Sequence, residues 1–127
     1  MTRNMDLVRE LLLKIADDTR FDGIGNPTLD VMTYVTDAFD HAAIDYHVRL
    51  LISSGMIDGF PLSSPGFVVR RLTWDGHDLV DSIRDPKIWA RTKGGAAAAG
   101  GFTVDLLKDL AKAFLRKQIE DRTGMKL

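Results

Sequence analysis

The 127-residue sequence contains no cysteine. That absence excludes a disulfide framework, thiolate zinc sites, iron–sulfur clusters and cysteine nucleophiles at once. Long apolar runs are missing too. None approaches the roughly 18 residues that cross a bilayer, so no membrane span and no membrane partner are expected. The opening residues Met1-Thr2-Arg3-Asn4-Met5-Asp6 turn charged and helical without the apolar core of a signal peptide, which predicts a cytoplasmic-type protein. No sign of charge dominates either: the net charge is −1. What is present is ordinary for a folded chain. Apolar residues at 45% and charged residues at 28% fit a single globular domain rather than a disordered segment.

The charge is unevenly spread. Met1 to Gly59 carries five basic residues (Arg3, Arg9, Lys14, Arg20, Arg49) against ten acidic ones, whereas Phe60 to Leu127 carries twelve against eight. A basic footprint for nucleic acid is therefore local to the second half. That weighs against strong non-specific DNA binding while leaving a specific contact open.

Met5, Val8, Leu11, Leu12 and Ile15 recur at the spacing of one helical face, with Asn4 as N-cap and Asp17-Asp18 opposing the dipole at the far end. Arg20 to Asp30, with Gly23, Gly25 and Asn26-Pro27, reads as a loop. The alternation of Val31, Thr33 and Val35 predicts a strand over Leu29–Val35. Thr36-Asp37 offers a cap for a helix over Ala38–Ser54, with a break at Asp40 as an option and Gly55 as its stop. Met56–Phe60 and Phe67–Leu72 read as two strands joined by the turn Pro61–Gly66, which holds two of the four prolines. Thr73 caps a helix over Trp74–Ile83, and Pro86 begins one further turn through Arg91. Gly94 to Gly101 reads as a flexible Gly/Ala linker between a domain at 1–93 and a C-terminal amphipathic helix at 102–127, with helix over Ala96–Ala99 as the alternative if that stretch is packed. That helix starts at Thr103 and shows Val104, Leu107, Leu110, Ala111, Phe114, Leu115 and Ile119 on one face. No internal repeat is visible.

Helix, strand, helix, hairpin, helix is the order of a winged-helix domain with one element reduced. The fold class expected is α+β, a winged-helix-like domain with a β-hairpin wing and an additional C-terminal helix. Ala38–Ser54 takes the recognition-helix position and Met56–Leu72 the wing. Three blocks then carry a family resemblance. They are Arg3-Asn4-Met5-Asp6-Leu7-Val8-Arg9, Tyr46-His47-Val48-Arg49-Leu50-Leu51 with Gly55-Met56-Ile57, and Leu72-Thr73-Trp74-Asp75-Gly76-His77-Asp78 with Asp81-Ser82-Ile83-Arg84-Asp85 and Trp89. In this order they resemble the family called domain of unknown function 2513, and the resemblance spans nearly the whole chain. It implies a small winged-helix-like protein of the kind common in bacteria, phages and prophages. It supplies no catalytic residues to carry over.

Candidate chemistry is sparse. Asp37, His41 and Asp45 at i, i+4 and i+8 have ligand types for a metal, but a solvated acidic face explains them better. His47, beside the apolar stripe, is expected to be packed with a satisfied ring nitrogen, and His77 to pack at a helix start. Trp74 and Trp89 are expected as core anchors. Gly23-Ile24-Gly25-Asn26-Pro27-Thr28 fails as a dinucleotide loop, and no nucleophile pairs with a base. The expectation is a protein that is not an enzyme, with no metal site, no cofactor and no small-molecule substrate.

Two partners compete. For duplex DNA the useful residues are His41, Tyr46 and Arg49 on the recognition-type helix and Arg70 and Arg71 on the wing, against the repulsion of Asp37, Asp40 and Asp45. For another protein, or a second copy as a homodimer, they are Leu107, Leu110, Phe114 and Ile119 of the last helix, whose alternative is to fold back and cover Met5–Ile15. The favoured function is a small regulatory binding protein, a DNA-binding regulator of phage or prophage type. The alternative is a protein-binding adaptor or inhibitor on the same scaffold.

Overall fold

The structure, a computed structural model, describes residues 1–98 and 103–126. It is α+β, and its contacts divide it into two compact units, Met1–Asp78 and Leu79–Leu127.

The first unit begins with α1 (Met5–Asp17). Asn4 caps it in extended backbone, its side chain accepting the Leu7 N–H at 3.1 Å. Leu7, Leu11, Leu12 and Ile15 are almost wholly buried on its inner face, each such side chain worth about 1.5–3 kcal/mol of apolar transfer. A loop leads to β1 (Thr28–Leu29). The strand expected over Leu29–Val35 ends there, because Asp30 turns its carboxylate onto the Met32 N–H (3.0 Å) and caps a 3₁₀ turn, Val31–Tyr34. Val31 and Tyr34 are buried while Met32 is exposed, a period of three where the sequence suggested two.

The next helix, α2, spans His41–Ser53 rather than starting at Ala38. Thr36 and Phe39 close on each other through two main-chain hydrogen bonds, which hold Ala38 outside the helix. Asp40 is the N-cap and accepts the Ala43 N–H at 2.9 Å. At the other end Gly55 takes a left-handed φ of 80°. There the Met56 N–H reaches Leu51 O and the Gly55 N–H reaches Ile52 O, the two bonds of a Schellman stop.

The chain then forms β2 (Ile57–Pro61) and β3 (Phe67–Leu72), an antiparallel hairpin, with β1 on the other side of β3. The register slips between Asp58, opposite Arg71, and Gly59, opposite Val69, which leaves Arg70 without a partner on β2. Phe67, Val69, Leu29, Ile44 and Val48 are buried in the core of this unit, where α1 meets β3 and α2 meets β2.

The unit boundary falls within α3 (Trp74–Ile83). The Thr73 hydroxyl accepts the Gly76 N–H at 3.1 Å, as a cap should, and also donates to Gly55 O. The second unit is built on α4 (Pro86–Ala98) and α5 (Val104–Thr123). The single turn expected after Pro86 is therefore three turns long. Gly94-Gly95, expected as linker, are helical, and so are Ala96–Ala98, the packed alternative for that stretch; residues 99–101 lie outside the described residues. Alanine favours helix, and Gly95 lets α5 approach: a Cβ there would lie 3.2 Å from the Leu110 side chain. Thr103 caps α5 as expected, accepting the Leu106 N–H at 3.1 Å.

Candidate functional site

A concavity of the first unit lies between the N-terminal half of α2 and the hairpin tip. This groove of about 640 Å³ is lined by His41, Asp45, Tyr46 and Arg49 of α2, by Leu62–Pro65 of the tip, and by Met1. The tip is closed by a Leu62 N–H to Gly66 O bond of 3.1 Å, which holds two serine hydroxyls and Pro65 at the rim. Three of these α2 residues, His41, Tyr46 and Arg49, are those the sequence offered as DNA contacts on the recognition-type helix; it did not offer the tip, whose Pro61–Gly66 turn signal shows only that the chain reverses.

The groove's charge is largely neutralised. Arg49 Nε lies 2.7 Å from Asp45 Oδ2, and its guanidinium sits 5.2 Å from the centroid of the buried Phe67 ring. Tyr46 is half-buried and meets the His47 ring edge-on at 5.5 Å. His41 is exposed at the first helical position.

Arg70 and Arg71 do not line that groove. Arg70 fastens the preceding loop to the sheet: its Nε donates to Asn26 Oδ1 at 3.0 Å and its carbonyl accepts the Gly23 N–H at 2.9 Å. Arg71 lies along Gly23, and its Nε is 3.7 Å from Asp58 Oδ2. It lines a separate hollow with Asp18, Phe21, Asp22, Trp74 and His77. Trp74, expected in the core, is 83% exposed, and His77, expected as packing, is exposed as well. Both stand on the solvent side of α3, whose buried positions are Gly76, Leu79, Val80, Ser82 and Ile83. Trp89 is buried as expected. Beside this hollow, the hydrogen bonds from Arg20 hold the Asp18 carboxyl below the usual carboxylate range. Burial, then the Asp18 charge, pushes the Tyr34 hydroxyl up.

The remaining sequence candidates separate. Asp37 precedes the Asp40 cap, so it does not share a helix with His41 and Asp45. No group of three or more His, Asp or Glu side chains suited to a metal occurs among the described residues. His47 is packed and satisfied at both ring nitrogens. In the last helix Leu107 is fully buried, Leu110 and Phe114 are half-buried beside Gly95, and Ile119 is 40% exposed. Thus α5 packs on α4 of its own chain, a neighbour that sequence reasoning did not weigh, because α4 had been cut at Arg91. The described residues hold no helix long and apolar enough to cross a membrane.

The architecture defines a small α+β protein whose helix, hairpin and C-terminal helix are consistent with a winged-helix-like arrangement. The chain belongs to the family described as hypothetical protein (DUF2513), whose model matches residues 2–102. It is also similar to a Haemophilus influenzae protein named "Uncharacterized protein", with 31% identity over 94% of this chain and 99% of the relative. No solved structure matches the chain.

Proposed function

We propose that the chain is a small non-enzymatic regulatory binding protein of the cytoplasm, and that the groove between α2 and the hairpin tip takes an extended segment of another protein. One observation carries this reading: the arginines that DNA would need are engaged within the chain. Arg49 is held by Asp45 and Phe67, and Arg70 by Asn26. Asp40 and Asp45 leave the face with little attraction for phosphate, and the Asp40 cap occupies the helix N-terminus where a phosphate would sit. Tyr46, Leu62 and Pro65 supply apolar contact, and Ser63 and Ser64 supply hydroxyls for a peptide backbone. A role in phage or prophage regulation rests on the family resemblance.

Duplex DNA is the second reading. It is favoured by the convergence of His41, Tyr46 and Arg49 beside the wing tip, where a winged helix would meet a duplex. Fluorescence anisotropy of mixed-sequence duplex at about 50 and 200 mM salt separates the two. The protein-binding reading expects no binding at the lower salt, and peptides selected from a random library to lose affinity on Tyr46→Ala. Duplex binding that falls by orders of magnitude with salt, and is lost on Arg49→Ala, overturns it. Sedimentation across concentration reports whether the bound segment belongs to a second copy.

A further inference from the structure

Asn4 is anchored at three points. Its side chain accepts the Leu7 N–H and its carbonyl accepts the Val8 N–H at 3.0 Å, both within α1. Its own N–H leaves that helix and donates to His47 Nε2 of α2 at 2.8 Å. Three residues ahead of Asn4 stands Met1, which completes the lining of the groove formed by α2 and the hairpin tip. The segment that carries this wall is therefore fastened to α2 by the imidazole of a buried histidine.

The fastening works in one protonation state. Nδ1 donates to Ala43 O at 2.8 Å, so Nε2 accepts from Asn4 only while the ring is neutral. A second proton goes to Nε2, sets N–H against N–H and breaks the Asn4 bond. No counter-charge offsets it: among the described residues no carboxylate lies within 4.0 Å of the ring. On α2 itself Tyr46 meets the ring edge-on, His41 is exposed, and Asp45 is committed to Arg49. The elements packed against α2 are α1, the 3₁₀ turn and β2. From α1 come Asp6, Arg9, Asp17 and the mutually paired Glu10 and Lys14, with Arg3 just ahead of the helix. The 3₁₀ turn brings Tyr34, and β2 brings Asp58, which faces Arg71. None of these pairs with His47, and a buried charge without a partner costs free energy.

We propose that His47 is a proton-operated latch on the groove: the neutral ring holds Met1–Asn4 against α2 and keeps the Met1 wall in place, and protonation releases it. The charged form is the one the site rejects. The latch is therefore closed at neutral pH and opens as pH falls through the range where imidazoles titrate. The change is local, because the Asn4 bonds to Leu7 and Val8 do not involve the ring and α1 stays capped. Losing a wall weakens the groove's hold on a peptide. That effect on affinity rests on the proposed binding of a peptide in the groove; the latch itself does not.

The test is an NMR titration of the protein between about pH 7.5 and 5, a span that covers imidazole titration. It follows the His47 ring nitrogens and the protection of the Asn4 amide against exchange. At the upper pH the ring shifts should report a neutral ring protonated at Nδ1. On acidification Asn4 protection should fall about tenfold, the factor for one lost hydrogen bond, in step with the His47 ring. The Leu7 and Val8 amides should keep theirs. A peptide selected from a random library should lose about threefold in affinity over the same interval, as loss of part of one apolar contact does. His47→Gln retains an acceptor and a donor on an uncharged side chain, so it should remove both effects.

A ring that stays neutral to the acid end, a ring protonated at Nε2 at the upper pH, or Asn4 protection that falls equally in His47→Gln overturns the proposal. The first two are read on the parent protein, whether or not the variant folds. Asn4 release with no peptide bound at either pH supports the latch and removes the peptide reading of the groove. Peptide affinity with the same pH dependence in His47→Gln keeps that reading and overturns the latch's control of it.

Discussion

His47 Nε2 accepts the main-chain N–H of Asn4 at 2.8 Å, joining the start of α1 to the middle of α2 across 43 residues. The other ring nitrogen, Nδ1, lies 2.8 Å from Ala43 O one turn back and donates to it. The two partners together put the ring proton on Nδ1 and leave Nε2 as a bare acceptor. The ring is nearly fully buried, so the bond to Asn4 satisfies an N–H that a helix start would otherwise leave to solvent. Two of the blocks behind the family resemblance, Arg3–Arg9 and Tyr46–Leu51, are thus two halves of one contact.

Replacing His47 with Leu is expected to cost about 1–3 kcal/mol, because the Asn4 N–H loses its acceptor in a partly buried site. Asn4→Ala keeps that N–H and loses only the side-chain cap on Leu7, for about 1 kcal/mol. Urea denaturation of the two variants checks the order: His47→Leu should be the less stable.

Arg70 gives a different outcome from the one its place on the wing suggests. Its side chain holds Asn26 and its carbonyl holds the Gly23 N–H. Arg70→Ala is expected to leave duplex DNA titrations unchanged and to speed amide exchange at Gly23 and Ile24. Global stability should move by no more than about 1 kcal/mol, the usual worth of an exposed polar contact.

How far the sequence discloses this molecule depends on whether the deciding interaction is local. The caps at Asn4, Thr73 and Thr103, the Gly55 stop and the β2–β3 hairpin were all legible, because each depends on residues within a few positions of one another. The 3₁₀ turn was not, since Asp30 can cap a turn or end a strand and only the burial of Tyr34 decides between them. Between the two readings of the Gly94–Ala98 segment, linker or packed helix, the sequence cannot choose for a long-range reason: it becomes helix where Leu110 and Phe114 need a side chain absent at Gly95. Topology alone puts His41, Tyr46 and Arg49 on the helix that faces the hairpin tip. The tip residues facing them, and the exposure of Trp74, required the packed structure.

Asp85 supplies a pH dependence. Its carboxylate accepts the backbone N–H groups of Lys87 at 2.7 Å and Ile88 at 3.3 Å. These bonds, ahead of Gln118 and Arg122, hold the carboxyl below the usual carboxylate range. A depressed folded-state value means that the contribution to stability is present above the unfolded value of about 4 and is lost as pH falls through the folded one. Asp85→Asn is therefore expected to be less stable than the parent at neutral pH, with the two denaturation midpoints converging in acid. A gap that stays constant down to the acid limit would assign the bonds no ionic character.

Two helical glycines should respond to the same substitution with opposite signs. In an exposed helix, alanine is favoured over glycine by about 0.5–1 kcal/mol, because glycine loses more backbone freedom on folding. Gly94 is exposed in α4 with nothing within 4 Å of an added Cβ, so Gly94→Ala should raise stability by about that amount. Gly76 sits in the first turn of α3, and a Cβ there would run into the Met56 carbonyl oxygen. That same oxygen accepts the Thr73 N–H at 3.0 Å, so the strand cannot withdraw without breaking the junction between β3 and α3. Gly76→Ala should therefore destabilise by at least about 1–3 kcal/mol, the cost of overpacking, despite its gain in helix propensity. Thermal denaturation of the pair reads the difference directly. If both variants gain stability, the close approach of α3 to Met56 is not what requires glycine in the Leu72–Asp78 block.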